Sequence, residues 1–392
     1  MGVRADRDDG ADLSEGADLD DGAGGGRLRL DLLGTLRSRT EAAAAGMPDL
    51  SGALDLLREA GVLRAPLPKP HGGCGLGLER GTARPLSDLL RRVGRVDLPL
   101  ARLVEGHVNA VLLVEVHGER AARAAMREAV GGGALLGVWG ADGDRPLEWV
   151  DRAEGGVALR GAKRYASGLG LVDLALVTAR SAPGAPGRMF LVPAGDPARH
   201  DHGAWTASAM RATRSGGFDA DGIVLDEAGC VGRAGDVMTE PWFEGGVWRY
   251  CAAHVGGAEG LIDRWAEMLG RMGRLDDPVQ RDRLGRAMAE AAAARAVVEA
   301  AAEGAEAAQE APPGPVERTV ACVLLAREAV EGACVRILAL CERSLGMAAH
   351  DGAGPVDRMR RDLSLFLRQA APDAKLSRAL DAALPPGIGE LR

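Results

Sequence analysis

The feature that most restricts how this 392-residue chain can fold is a double change in the period of its apolar residues. From residue 28 to 131 they recur at helical spacing. SGALDLLREAGVL, for example, places Leu54, Leu57 and Val62 on one side behind a cap expected at Ser51. From 132 to 238 the period falls to that of strands. GGVALRGAKRYASGL reads as a strand, a tight turn at Arg160-Gly161 and a second strand, LALVTAR and RMFLVPAG as short apolar strands, and GGFDADGIVLDEAGCVG as another between turns. From 239 to 392 helical spacing returns in long segments stopped at Pro278, Pro312, Gly352 and Pro355. Long helices on short loops pack as antiparallel neighbours. The chain is therefore expected to be an α+β multidomain protein: an N-terminal helical domain (28–131), a middle β-barrel or sandwich domain (132–238) and a C-terminal four-helix bundle (239–392). Residues 1–27, rich in Asp and Gly, cannot bury enough apolar surface to fold and are expected to form a disordered acidic leader.

Charge and composition remove several function classes. A formal charge of −8 argues against a general nucleic-acid binder. No apolar run approaches the ~20 residues of a membrane span, and the leader lacks the apolar core of a signal peptide, so the cytoplasm is the expected location. The six cysteines include no C-x-x-C pair, and no metal site is expected; His200 and His202 flank Asp201 on a polar stretch that lacks further ligands. Phosphate-loop, Rossmann and Ser-His-Asp patterns are absent.

Four strings carry a resemblance. LPKPHGGCGLG (67–77) is similar to P-x-x-x-G-G-x-G. LRGAKRYASGLGLVDLALVTAR (159–180) is similar to L-x-G-x-K-x-x-I-T/S followed by A-D-x-x-L-V. MRATRSGGFDADGIVLDEAGCVGRAGD (210–236) is similar to G-x-R-x-x-x-S with its following strand. LGMAAHDGAGPVDRMRRD (345–362) is similar to G-G-x-G-x-x-x-x-P-V-x-R-x-x-R-D. Together and in this order they resemble the acyl-CoA dehydrogenase family. The resemblance implies FAD held between the β domain and the bundle, an acyl thioester substrate, an electron-transfer acceptor and a homo-oligomer, dimer or tetramer. Ala-rich helices with uncovered apolar faces also favour the bundle as the contact.

The resemblance also assigns residues. Ser167 falls where the family's hydroxyl bonds the flavin near its reactive nitrogen, where a donor favours the reduced form. Trp139 stands in the family's T-E-P strand, either stacking on the ring or filling the barrel. Arg271, or Arg274, falls near a diphosphate-binding Arg, and Gly352 and Gly354 lie in a turn that brings backbone close to a neighbouring subunit's FAD.

The catalytic base departs from the pattern. The family's usual Glu position holds Ala370, which cannot take a proton. Some members carry the base at the start of the first bundle helix. There Glu244 is the candidate, with Glu240 second; an apolar setting between Trp242, Phe243 and Trp248 would raise the Glu244 pKa. His254 reads as a core histidine. Three functions remain: FAD-dependent α,β-dehydrogenation of an acyl thioester, a flavin-dependent monooxygenase-like chemistry needing no acyl base, and a non-catalytic assembly partner of an active paralogue.

Overall fold

The computed structural model describes residues 28–29, 35–37, 49–311, 313–352, 354–369 and 371–383; the acidic leader and Ala370 lie outside them. Helices α1 (Ser51–Glu59), α2 (Ala83–Val96), α3 (Leu98–His117) and α4 (Arg120–Gly131) come first. Ten short strands follow: β1 (Leu136–Trp139), β2 (Glu148–Asp151), β3 (Val157–Arg160), β4 (Ala162–Ala166), β5 (Leu174–Ala179), β6 (Arg188–Pro193), β7 (His200–Asp201), β8 (Gly216–Asp219), β9 (Val224–Leu225) and β10 (Cys230–Val231). Helices α5 (Trp248–Arg271), α6 (Pro278–Ala307), α7 (Pro313–Leu345), α8 (Pro355–Phe366) and α9 (Pro372–Ala383) complete the fold. Among the described residues no helix is long and apolar enough to cross a membrane.

Caps set the helix starts. Asp97 ends α2 and accepts the Leu100 amide of α3 at 2.8 Å. Asp277 accepts the Val279 and Gln280 amides before Pro278 opens α6. Ser51, expected to cap α1, is instead its first residue, and Asp49 accepts its amide at 3.1 Å.

The strands form three short sheets, ordered β1-β5-β6-β10, β2-β3-β9 and β4-β8-β7. Only β1–β5 pairs parallel; no α-helix lies between β1 and β10. The expected β3–β4 hairpin does not form. β3 pairs with β2 and β9, and β4 with β8. One residue, Gly161, separates the two strands, too few for a two-residue hairpin loop. It sits at φ 111°, where a Cβ would lie 2.4 Å from the Pro146 carbonyl oxygen, and it turns the chain from one sheet into another. Lys163, fully buried, ties the sheets from inside: its ammonium donates to Asp142 at 2.6 Å, to the Gly140 carbonyl at 3.1 Å and to Thr178 at 3.3 Å.

The helical blocks before and after the strands are not independent. α2 packs on α5 as extensively as α6 does on α7. The approach is close because its residues are small. A Cβ on Gly256 would lie 2.0 Å from the Arg91 carbonyl oxygen, one on Gly260 2.2 Å from that of Arg95, and one on Gly94 2.5 Å from that of Ala253. Ion pairs flank the seam: Arg91 to Glu259 at 2.5 Å, and Arg95 to Asp263 at 2.7 and 2.9 Å. Arg264 donates to the Val96 and Arg95 carbonyls at 2.8 and 3.2 Å, satisfying the end of α2. α2, from the block before the strands, thus packs against α5, the first long helix after them.

His107 of α3 joins the helices to the sheets. Its Nδ1 accepts the Leu136 amide at 3.0 Å, so Nε2 carries the proton and donates to the Leu63 carbonyl at 2.7 Å. Burial pushes its pKa down to about 4.

Gly256→Val should cost about 3 kcal/mol or more because the helices must part. Gly285→Ala, with nothing within 4 Å of its added Cβ in α6, should gain roughly 0.5 kcal/mol. Urea unfolding of both variants checks the opposite signs. His107, neutral in the fold, titrates near 6.5 when unfolded, so its contribution is complete above that pH and is lost as pH falls toward 4. Unfolding free energy should fall by up to about 3 kcal/mol across this interval, less so in His107→Gln.

Candidate functional site

Ser167 follows β4 at a corner where two loops meet. Its carbonyl accepts the Trp139 indole N–H at 3.0 Å, and the next amide, Gly168, donates to the Thr213 carbonyl at 2.7 Å. The second loop runs from Ser208 to Ser215 and supplies a row of hydroxyls. Thr213 Oγ1 donates to the Met210 carbonyl at 2.7 Å, lies 2.7 Å from Ser215 Oγ, and Ser215 donates to Ser167 Oγ at 3.1 Å. Thr213 and Ser215 are buried and Ser167 is half-buried at the end of the row. Each hydroxyl has one proton. The protons of Thr213 and Ser215 serve the three contacts inside the row, and Ser167 is the hydroxyl at its half-buried end.

The backbone around this row is held in unfavourable conformations. Among the described residues the non-glycine residues at positive φ are Tyr165 (55°), Met210 (54°), Arg214 (48°) and Ala371 (51°). Three flank the hydroxyl row, and the fourth follows Ala370. Such residues cost on the order of 1–3 kcal/mol each and collect at functional sites. Tyr165 is 54% exposed beside Ser167, with the Arg164 guanidinium 4.9 Å from its ring centre and the Trp205 ring edge-on at 6.2 Å.

The other expected residues take varied places. Trp139 is inside the β layer, its ring 4.9 Å from that of Phe218, so it fills the interior and positions the Ser167 carbonyl. Arg271 is exposed at the end of α5. A side chain at Gly352 would meet open space, and the Gly354 amide closes a turn on the Asp351 carbonyl at 2.7 Å. No described contact joins Arg271, Gly352 or Gly354 to the row.

The setting of Glu244 is ionic, not apolar. Lys375 Nζ lies 3.4 Å from its Oε1, and Arg378 Nε pairs with its Oε2, both from α9. Glu240 is a cap: its two carboxylate oxygens accept the Glu244 and Gly245 amides at 3.1 and 2.9 Å. His254 is a core residue, its ring edge-on to Phe366 at 4.5 Å, but its Nε2 has no partner. Burial holds it neutral, with a pKa of about 3. The buried Tyr250 hydroxyl, one turn earlier on α5, faces Arg327 without a bond of hydrogen-bonding geometry. Arg249, also buried, donates to Asn109 at 2.5 Å, and Asn109 to Glu105 at 2.5 Å. Burial lowers the Arg249 pKa to about 10.

Residues 249–368 match the family model described as acyl-CoA dehydrogenase, C-terminal domain. No curated protein sequence matches the chain. Among solved structures, FMN-bound TdsC from Paenibacillus sp. A11-2, a dibenzothiophene monooxygenase, superposes with a TM-score of 0.77 at 19% identity, over 88% of this chain and 94% of that one. Methanesulfinate monooxygenase MsuC from Pseudomonas fluorescens gives 0.75 at 16% identity, over 91% and 96%. KijD3, in complex with FMN and dTDP-3-amino-2,3,6-trideoxy-4-keto-3-methyl-D-glucose, gives 0.76 at 19%, over 90% of each. At these identities the likeness is one of fold.

Glu244→Gln should leave Lys375 without its counter-charge and Arg378 with Glu240 alone, at 3.6 Å, and so loosen α9. We expect a loss of about 1–3 kcal/mol and faster proteolysis within residues 372–383, read by mass spectrometry.

Proposed function

We propose that this chain, which carries an acyl-CoA dehydrogenase C-terminal domain on the acyl-CoA dehydrogenase fold, is a flavin-dependent monooxygenase acting on a small organic substrate. The observation that carries the reading is the engagement of Glu244 by Lys375 and Arg378. A base for α-proton abstraction must be free to take a proton beside the thioester. The usual position holds Ala370, and the alternative carboxylate is bound between two cations. This weakens acyl-thioester dehydrogenation but not oxygenation, which needs no such base. The neighbours named as monooxygenases support the same choice.

A reduced flavin, when bound, supplies two electrons to dioxygen, so that one oxygen atom enters the substrate and the other leaves as water. The chain's own residues provide the seat. Ser167, at the half-buried end of the row, would offer a hydrogen bond to the ring edge, and Trp139 fixes the backbone that aims it. The flavin is FMN in this reading, in place of the FAD expected from the resemblance, because FMN is the flavin in the neighbours' complexes. A separate reductase is the electron partner, and the cytoplasm the location. A homo-oligomer is supported by the α6–α7 face, where Met288 and Val335 are exposed and a groove of about 670 Å³ runs between Glu290 and Leu340.

The test is spectroscopic. FMN-reconstituted protein mixed anaerobically with butyryl-CoA or palmitoyl-CoA should keep its oxidised absorption band. Reduced by NADH and a flavin reductase under labelled dioxygen, it should transfer one labelled atom to a member of a thioether and indole panel. Anaerobic bleaching by either thioester would return the assignment to a dehydrogenase.

A further inference from the structure

The R-D pair that closes the last of the four sequence strings is not used by the function above, yet it makes the contacts that hold the hydroxyl row. We infer that Arg361 and Asp362, adjacent on α8, are positioning residues that grip the Ser208–Ser215 loop and thereby set where Ser167 meets the flavin. This rests on the flavin reading of Ser167.

The grip has two points. Asp362, buried, accepts the Met210 amide at 2.5 Å, and Arg361 Nη1 donates to the Ser208 carbonyl at 2.6 Å. These groups lie two residues apart in the loop, so both its path and its rotation are fixed from outside. Arg361 is itself oriented by Asp357, which accepts its Nε at 2.7 Å. The loop needs an external hold because Met210 and Arg214 are both in the left-handed region, and such residues persist only where their surroundings over-determine them. Inside the loop the Thr213 and Arg214 amides bond to the Met210 and Arg211 carbonyls at 3.1 and 3.0 Å. Those bonds shape the turn but do not attach it to the helices. The grip on Met210 places Thr213, Thr213 and Ser215 lie within hydrogen-bond distance, and Ser215 donates to Ser167.

The hold also has a charge that titrates. Asp362 is faced by Asp97 at the start of α3, by Arg358 at 3.8 Å and Arg361 on its own helix, and by the Met210 amide of the loop. The neutral His254 is on α5, and α7, which also packs against α8, brings Glu342, paired there with Arg360 at 3.0 Å. Burial, with Asp97 adding to it, raises the Asp362 pKa to about 6 against the opposing pull of the amide and the two arginines. Above that value the amide meets a carboxylate, and a charge-assisted bond is roughly twice as strong as a neutral one. Below it the carboxyl still accepts, but more weakly.

The test uses riboflavin, which has no phosphate to titrate in the same interval. Its dissociation constant is measured by fluorescence between pH 5 and 8, with circular dichroism confirming folding. Wild-type affinity should weaken severalfold as pH falls through about 6. Asp362→Asn keeps an acceptor but no charge; it should bind about threefold more weakly at pH 8 and lose the pH dependence. Asp362→Ala should bind tenfold more weakly or worse, and Asp362→Glu should recover part of the loss. Wild-type affinity in Asp362→Ala, or an unchanged pH profile in Asp362→Asn, overturns the inference. If Asp362→Ala does not fold, the Asp362→Asn profile decides. If the wild type binds no riboflavin, the flavin reading fails first, and hydrogen exchange at residues 210–215 judges the hold alone. Faster exchange in Asp362→Asn supports it, and unchanged exchange overturns it.

Discussion

The crossing of α2 over α5 is the constraint from which the rest of the structure proceeds. Glycines at 256 and 260 bring the α5 backbone against the carbonyls of Arg91 and Arg95, closer than any side chain permits. Because α2 ends at Asp97, one residue before α3 begins, fixing α2 also fixes α3. His107 on α3 then sets the height of β1, and Asp97 pairs with Arg358 and so sets α8. From α8 the Arg361–Asp362 contacts reach the loop that carries Thr213 and Ser215. The hydroxyl row is therefore at the end of a chain of rigid contacts starting in the helical core, which is how strained residues can be kept at φ values near +50°.

What the site can do depends on where charge has been placed. A half-buried hydroxyl at the end of such a row suits the electron-rich edge of a reduced flavin. The charges near the start of α5 are engaged instead in structure. Glu240 caps the turn that precedes the helix, and Glu244 anchors α9 through Lys375 and Arg378. A carboxylate in that role holds the chain's last described helix against the bundle. The oxygenase reading needs only that the seat orient the ring and shield it from water.

The period changes made the element order legible. The runs from Trp248 onward became helices close to where their spacing put them, and Pro278 and Pro355 opened helices as their fixed φ favours. Pairing was less legible. Gly161 looks like a hairpin turn in one dimension, but its packing against Pro146 is a long-range fact, as is the glycine seam of α5. At the site, Ser167 was readable, but Ser215, the serine of the G-x-R-x-x-x-S string, was not, because their bond joins residues 48 apart. The apolar neighbours of Glu244 hid its ionic setting, because its partners come from a helix more than 120 positions later. Trp139 as an interior residue depended on knowing that Phe218 sits beneath it.

The central claim is that the Ser167 row is the seat of a flavin, and titration of FMN into the wild type and into Ser167→Ala tests it most directly. The account predicts one FMN per chain in the wild type, with the variant about tenfold weaker for loss of one hydrogen bond and the difference larger for reduced than for oxidised FMN. Equal affinities of wild type and variant in both redox states would contradict it.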